Sequence, residues 1–595
     1  MFKTFLPSRR KFKGICLLMM LMLGLTQLRF ARTHSADDKD KDATKKAADD
    51  KSNDKSKSAK PAPTPEELQQ MLIEQSKAME ALQQQVRQQQ AEIDALKSKS
   101  TGNQPANAAS VTPTLGTNAN TTASATTSTT ANTTAPIGKT AVPPQETSPL
   151  QLRIGNATIQ PIGFMDFTAV VRGTNTGNNI GTNFNSIPFN NQEQGHLSEA
   201  RLSMQNSRIG FRVDALVHDA RVIGYMEADF LGNNPNNTFV SSNSNTLRSR
   251  LYWVDVTRDK FEVMGGQSWS LMTPGKNGIS PLPGDIFYTQ NIDVNYQIGL
   301  TWARQAGIRF VYHPTNTVAA AIALENPEQF VGNPAEVTFP SAFNAVLTGG
   351  NPQFDSGGAL STPNLHPDII GKVAWDPKVG DRHFHVEGVG FLRTFKNTFI
   401  PVGGTTFDHS TKTGGGGALN MWLDVTKNIH YVSTMFFSDG GGRYIFGQAP
   451  DAVVHPDGSI GLVQSYSTIQ GIEANVRPNT LLFAYYGGMY AKRNTFIDTT
   501  SGLAVKPFIG FGGPNSGTSN NRAIQEGTFG FNQTIWKDPK WGAVNFMGQF
   551  SYLTRAPWFV APGAPKNAHT PMIFLNLRYT LPGSAPKKED LTVNK

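Results

Sequence analysis

The chain has 595 residues, which is enough for more than one structural unit, and its composition changes sharply near residue 150. Its formal net charge is +9, but residues 1–36 carry seven Lys or Arg and no acid, which leaves only +2 for the remainder. This balance, with no basic patch interleaved with aromatic residues, argues against a nucleic-acid partner. The one cysteine, Cys16, lies in the same N-terminal segment, so disulfides and thiolate metal sites are excluded from the rest.

The N-terminal segment has the layout of a secretory signal peptide. Basic residues between Lys3 and Lys13 precede an apolar run from Ile15 to Leu25 and a polar stretch that reaches Ala36. The apolar run is shorter than the ~20 residues that a membrane helix needs. We therefore expect residues 1–36 to be removed on export, with an N-terminal membrane anchor as the alternative.

A helix between two linkers is predicted next. Residues 37–63 mix Asp, Lys, Ala and Ser without large apolar side chains, which is typical of a disordered charged linker. Thr64 and Glu67 then form a capping box, and apolar or Gln residues recur at steps of four and three. This spacing favours a coiled-coil helix over 64–98, with a lone amphipathic helix as the alternative. Residues 99–150, rich in Thr, Ala and Asn, are predicted to form a second disordered linker.

Residues 151–581 show the two-residue period of β-strands. In the stretch "SRIGFRVDALVHDARVIGYMEADFLG" (207–232), apolar and charged residues alternate along two arms joined by a short polar turn. Sixteen such segments occur, near 158–171, 198–214, 220–231, 247–256, 260–268, 303–313, 317–325, 367–376, 383–393, 417–426, 428–437, 463–476, 480–492, 525–536, 542–553 and 572–581.

The connections between these segments alternate between long and short. Long ones such as 394–416 are rich in Gly, Asn, Ser, Thr and Pro, whereas short ones such as "TRDK" and "RPN" are tight turns. Short turns at one end, long loops at the other and an even strand count are typical of bacterial transmembrane barrels. The sequence thus predicts an all-β fold, a 16-stranded antiparallel transmembrane β-barrel, with a polar C-terminal tail over 582–595. Its apolar face would meet outer-membrane lipid and its charged face would meet water.

A barrel of sixteen strands encloses a water-filled channel, so selection of solutes depends on inward side chains. Arginines dominate the predicted inner face, and guanidinium groups bind carboxylates and phosphates. Glu227 and Asp229 are predicted on the same wall. The alternative is therefore that these two acids pair with the arginines and neutralise them. The predicted pore-lining residues are Arg208, Arg212, Arg221, Glu227, Asp229, Arg248, Arg250, Arg304 and Arg309.

The third long loop, residues 268–297, has unusual apolar content for a loop in water. It contains Trp269, Leu271, Phe287 and Tyr288 between Pro and Gly residues. Folding into the lumen would bury these side chains and narrow the pore. The alternative is an extracellular cover packed against neighbouring loops.

Two motifs that resemble catalytic or metal sites lack the required context. "HFHVE" places His383, His385 and Glu387 on one face of a strand, but no third histidine accompanies them, so we predict no metal. "GGGG" at 414–417 precedes a strand rather than a helix and is interpreted as loop slack rather than a phosphate-binding loop. No Ser–His or Asp–His constellation is recognisable, so neither an enzyme nor a cofactor is predicted.

Several phrases resemble DcaP-like outer-membrane porins: "SRIGFR", "VIGYMEADFLG", "GGQSWSLM", "RQAGIRFVYH" and "ENPE". The resemblance implies an outer-membrane homotrimer with one pore per subunit, a periplasmic N-terminal region, and passive diffusion of small polar or anionic solutes such as dicarboxylates. It also implies a constriction by the third loop. Unlike many porins, this chain continues for fourteen polar residues after its last strand. The implied constriction residues are Trp269, Asp285, Phe287, Tyr288 and Asp293.

A structural envelope protein is the rival interpretation. In that case the barrel is an anchor, and the coiled coil binds peptidoglycan or another periplasmic partner. The third loop discriminates, because a plugged lumen favours anchoring and an open lumen favours transport.

Overall fold

A computed structural model describes residues 148–582, except 178, 233–242, 288, 293–294, 333–335, 350, 358–361 and 518. The predicted signal peptide, charged linker and coiled-coil helix lie outside these residues, as do nearly all of the second linker and of the C-terminal tail.

In the described residues, sixteen long antiparallel strands form one sheet, and the short strands Leu152–Ile154 and Lys378–Val379 pair with the ends of two of them. The second strand is interrupted at residues 204–207 and is counted once. The strands are β1 Ala157–Arg172, β2 Glu199–Ser203 with Arg208–Val217, β3 Ala220–Asp229, β4 Arg248–Arg258, β5 Phe261–Trp269, β6 Arg304–Thr315, β7 Val318–Glu325, β8 Asp368–Trp375, β9 Arg382–Phe399, β10 Asp408–Asp424, β11 Ile429–Asp439, β12 Gln464–Arg477, β13 Thr480–Ala491, β14 Asn521–Asp538, β15 Gly542–Pro557 and β16 Ala568–Thr580.

The sheet closes on itself. Each strand pairs with the next one in the chain, and β16 pairs with β1 from Phe164 opposite Thr580 to Arg172 opposite Met572. Closure satisfies the backbone groups at both edges, which an open sheet in lipid could not do. The prediction of an all-β, 16-stranded antiparallel barrel is confirmed.

The two faces of the wall differ as the alternation predicts. On β2, Ile209 and Phe211 point outward and are 51% and 45% exposed, whereas Arg212, the residue after Phe211, points inward and is buried. Met226 on β3 and Tyr252 on β4 are likewise exposed on the outer face. The barrel therefore has an apolar outer surface and a polar inner surface.

The connections sort by length to opposite rims. Turns such as 218–219, 259–260 and 478–479 have two residues, whereas the connection from β5 to β6 covers residues 270–303. Because each turn reverses the chain, alternation of short and long connections gathers the long loops at one rim. We call these the short-turn rim and the long-loop rim.

One predicted loop is instead a strand pair. Residues 394–416 were expected to form a long connection, but β9 and β10 continue in register until Phe399 faces Asp408, which leaves a loop of residues 400–407. The interpretation of 414–417 as loop slack is therefore wrong. These glycines lie in β10, where a Cβ atom on Gly416 would be 2.3 Å from the carbonyl oxygen of Phe437. The close approach of the neighbouring strand requires glycine.

Small elements within the long loops cover the long-loop rim. Val337–Thr338, Asn494–Ile497 and Phe508–Phe511 pair in a three-stranded sheet, and Ala452–Val454 pairs with Ile460–Leu462. One short α-helix covers Asn344–Thr348. No helix in the described ranges has the length and apolar character that a bilayer crossing requires.

Candidate functional site

Loop 3 (residues 270–303) is held by the inner wall of the barrel through its backbone. Four of its peptide N–H groups donate to side chains on β7, β9, β14 and β15, so the loop contacts widely separated parts of the wall. These hydrogen bonds run from Leu271 to Glu325 (2.7 Å), from Gly275 to Glu387 (3.1 Å), from Ile292 to Gln549 (2.7 Å) and from Ile298 to Glu526 (3.0 Å).

Two glycines let this loop lie directly on the wall. Gly299 has a φ of +98°, and a Cβ atom there would be 2.3 Å from the carbonyl oxygen of Thr468 on β12. On β13, a Cβ atom on Gly487 would be 2.0 Å from the carbonyl oxygen of Ile298. Backbone therefore packs on backbone at this point, which a larger residue would prevent.

The predicted constriction residues occupy different environments. Trp269 ends β5, where it is buried and packs on Trp302 with ring centroids 4.9 Å apart. Phe287 is buried and packs edge-to-face on Trp422 of β10, with the two ring centroids 6.0 Å apart. Asp285 is partly buried in the 3-10 turn Pro283–Asp285. The remaining two, Tyr288 and Asp293, lie outside the described residues.

Four of the predicted arginines line one cavity of about 450 Å³ between loop 3 and the wall. We call it the arginine cavity. Aromatic rings from loop 3 and from the β11–β12 connection form its other side, and none of its described lining residues is Asp or Glu. The residues that define it are Arg208, Arg248, Arg250, Arg304, Tyr296, Trp302 and Phe446.

Glu227 and Asp229 lie behind these arginines and pair with them. Arg250 reaches both acids at 2.7 Å, and Arg248 reaches Asp229 at 2.7 Å. Within the described ranges no carboxylate lies within 4.0 Å of Arg304, whose Nη1 atom is buried and lacks a hydrogen-bond partner. Among the residues that the structure describes, Glu227 and Asp229 are the carboxylates that pair with these arginines.

The other predicted arginines lie elsewhere on the wall. Arg212 and Arg221 share Asp214, at 2.6 and 2.7 Å. Arg309 is fully enclosed beside loop 3, where it donates to the carbonyl oxygen of Trp269 at 2.8 Å. The predicted set is thus divided by loop 3 rather than collected in one ring.

The aromatic residues of the cavity were not identified from the sequence. Trp302 stacks on Phe446 with centroids 4.7 Å apart, and the hydroxyl group of Tyr296 accepts a hydrogen bond from Arg208 at 3.3 Å. Phe446 adopts a φ of +53°, an uncommon conformation for a bulky residue. Aromatic content in loop 3 was a signal, but only the folded loops show which rings face the arginines.

The "HFHVE" residues form a clamp for loop 3. The ring of His385 lies between Asp376 (2.8 Å) and Glu387 (3.2 Å), and Lys372 also reaches Glu387 at 3.0 Å. Asp376 in turn accepts the peptide N–H of Gly278 in loop 3. Burial opposes ionisation of Asp376, but the hydrogen bond from His385 lowers its pKa. Across the described residues, no group of His, Cys, Asp or Glu has a metal-binding arrangement.

A closed antiparallel barrel with an apolar exterior and long loops at one rim is the form in which outer-membrane proteins span the bilayer. The chain has this form, and its predicted location in the outer membrane is confirmed. Trp375, Trp536 and Trp541 are exposed near the short-turn rim, where an interfacial aromatic belt is expected.

No protein-family profile and no curated protein matches the sequence. Several solved structures are similar to this chain. The outer membrane channel DcaP of Acinetobacter baumannii is 14% identical, with a TM-score of 0.49, over 71% of this chain and 97% of that one. OprB of Pseudomonas putida is 12% identical, with a TM-score of 0.38, over 71% and 94%. OmpF of Salmonella typhi is 9% identical, with a TM-score of 0.37, over 72% and 100%.

Proposed function

We propose that this protein is an outer-membrane channel for passive diffusion of small hydrophilic anions, with dicarboxylates as the solute class. The arginine cavity carries the proposal. Four arginines line it without a described acid in the lining, and Arg304 and Arg250 each retain a buried nitrogen without a hydrogen-bond partner. Such donors, arranged around a water-accessible space, favour carboxylates in two-point contacts.

Loop 3 is proposed to narrow the pore. Its hydrogen bonds to β7 on one side and β15 on the other support this role, because they hold the loop across the interior. The arginine cavity borders the loop through Tyr296 and Trp302, so a solute that enters it meets loop residues and wall arginines together. A local positive excess in a narrow passage raises the concentration of anions there.

Assembly as a homotrimer, with one pore per subunit, is part of the same proposal. The exposed apolar outer wall, which includes Ile209 and Phe211, offers contact surface both to lipid and to neighbouring barrels. The coiled-coil helix over 64–98 would add self-association on the periplasmic side. Cross-linking of the full chain and of a chain without residues 65–98 tests whether barrel contacts alone hold the trimer.

Planar-bilayer recording tests the channel and its preference. The wild type should show single-channel steps. In a KCl gradient, the sign of its reversal potential should indicate that chloride is preferred over potassium. Replacement of Arg304 with Gln should lower the chloride-to-potassium permeability ratio by about fivefold, the factor for one charge acting at ~4 Å through water. Arg258→Gln is the matched control, because Arg258 is 64% exposed at the short-turn rim. Cation preference in the wild type would refute the solute class.

An anchoring role for the barrel is the second candidate. It is favoured by an apolar cluster between the wall and loop 3, in which Tyr225 stacks on Trp253 at 5.1 Å beside Trp269 and Ile286. This cluster fills part of the lumen. A complete lack of single-channel steps would support anchoring and refute the channel.

A further inference from the structure

A second cavity lies near the short-turn rim, beside a different part of loop 3 from the part that lines the arginine cavity. Its volume is about 310 Å³, and residues 280–282 of loop 3 form part of its lining. We call it the carboxylate cavity. Asp255 of β4, Glu262 of β5 and Asp259 of the turn between them line it, with Arg221 of β3 opposite.

Two of these acids are buried and lie within hydrogen-bonding reach of each other, and each has an oxygen atom that no described donor group reaches. Asp255 is 2% exposed; its Oδ2 accepts a hydrogen bond from Thr257 at 3.2 Å, while its Oδ1 has no partner. Glu262 is 7% exposed; its Oε2 contacts His313 at 3.3 Å, while its Oε1 has no partner. Buried carboxylate oxygens are costly unless a positive group or a donor satisfies them.

The neighbouring arginines are already engaged. Arg221 pairs with Asp214 at 2.7 Å. Arg309 of β6 donates to the carbonyl oxygen of Trp269 at 2.8 Å. Among the described residues, neither Arg221 nor Arg309 forms an ion pair with Asp255 or Glu262, although both add positive charge to the surroundings of the cavity.

We propose that the carboxylate cavity binds one small monovalent cation, an alkali-metal ion or a primary ammonium group, between Asp255 and Glu262. The two free oxygens supply the negative ligands, and Thr257 and Ser280 supply neutral oxygens at the same cavity. A divalent ion would demand a larger set of carboxylates. The described lining of the carboxylate cavity thus holds three acids and one arginine, whereas that of the arginine cavity holds four arginines and no acid.

Crystals of the full chain soaked in a thallium(I) salt at pH 8 test the site directly. We expect an anomalous peak between the two carboxylates, lost in Asp255→Asn and in Glu262→Gln. Asp381→Asn is the matched control, because Asp381 is a 76% exposed acid at the same rim and should leave the peak unchanged. A folded wild type without a peak would show that the pair holds a proton instead and would overturn the proposal. Competition by methylammonium, but not by tetraethylammonium, distinguishes the ammonium source from the alkali source.

Reversal potentials provide a second readout. Because a fixed negative charge attracts potassium, Asp255→Asn should raise the chloride-to-potassium permeability ratio by about fivefold, in the direction opposite to Arg304→Gln. An unchanged ratio would count against a cation in the pathway. If the wild type shows no conductance, the proposed channel function fails, whereas the thallium peak still decides the cation site.

Discussion

The contact between Gly487 and loop 3 gives a sharp test of how the loop is held. A Cβ atom on Gly487 would lie 2.0 Å from the carbonyl oxygen of Ile298 and 2.9 Å from Cγ of Gln297. Real Cβ contacts stay beyond 3.0 Å, so Gly487→Ala must push the loop back by at least 1.0 Å. The peptide N–H of Ile298 donates a hydrogen bond to Oε2 of Glu526 at 3.0 Å, and the same shift of the loop breaks this hydrogen bond.

The expected cost follows from these contacts. Overpacking of this kind destabilises a protein by about 1–3 kcal/mol, and loss of one hydrogen bond adds about 0.5–1.5 kcal/mol. The barrel strands pair independently of the loop, so we expect the loop to detach while the barrel stays folded. Single-channel conductance should then change, and open-channel noise should increase.

Gly488→Ala provides the matched control. Gly488 is the next residue on β13, and the nearest atom to its added Cβ, the carbonyl oxygen of Ile524, is 3.6 Å away, which is an ordinary contact. Both variants should keep the heat-resistant migration of a folded barrel. If Gly487→Ala had the same conductance and noise as the wild type and Gly488→Ala, the close packing of loop 3 on β13 would be refuted.

Two further outcomes are expected. Burial raises the pKa of Glu328 to about 7 and that of Asp451 to about 6. Each therefore binds a proton more tightly in the folded loops than in detached loops, so the loops should be held more firmly at pH 5 than at pH 8. Hydrogen exchange of the loop amides, corrected for its intrinsic pH dependence, should show protection that falls as the pH rises from 5 to 8. Constant protection over this range would contradict the role assigned to Glu328 and Asp451. On the outer wall, Phe211→Lys should lower the unfolding free energy in vesicles by about 2–4 kcal/mol, and no loss would mean that this face does not contact lipid.

Loop 3 illustrates the limit of sequence patterns. Its apolar content indicated burial, but not that Glu325, Glu387 and Glu526 accept its peptide N–H groups. These acids lie between 54 and 228 residues further along the chain than the N–H groups they accept. In the sequence they cannot be distinguished from other charged residues that face the lumen. Backbone hydrogen bonds leave no signature in the identity of the donor residue, so the arrangement cannot be deduced from local sequence.

The arginines show a similar division. Alternation along β2 to β4 placed Arg212 and Arg250 on the inner face, because a two-residue period assigns faces without knowledge of neighbours. Which acid each arginine meets depends on register between strands and on where loop 3 crosses. Only the folded barrel shows that Arg304 lines the same cavity as the paired Arg248 and Arg250, and that Asp255 and Glu262 line a different one.

The sequence by itself determined the sixteen strands, their inward and outward faces and the sorting of long and short connections, since these follow from local periodicity and turn residues. Tertiary structure alone decided how far β9 and β10 extend, where loop 3 lies and how charges divide between the two cavities. Those features depend on contacts between residues that are distant in the chain. Such contacts form only when β16 pairs with β1 and the closed barrel surrounds loop 3.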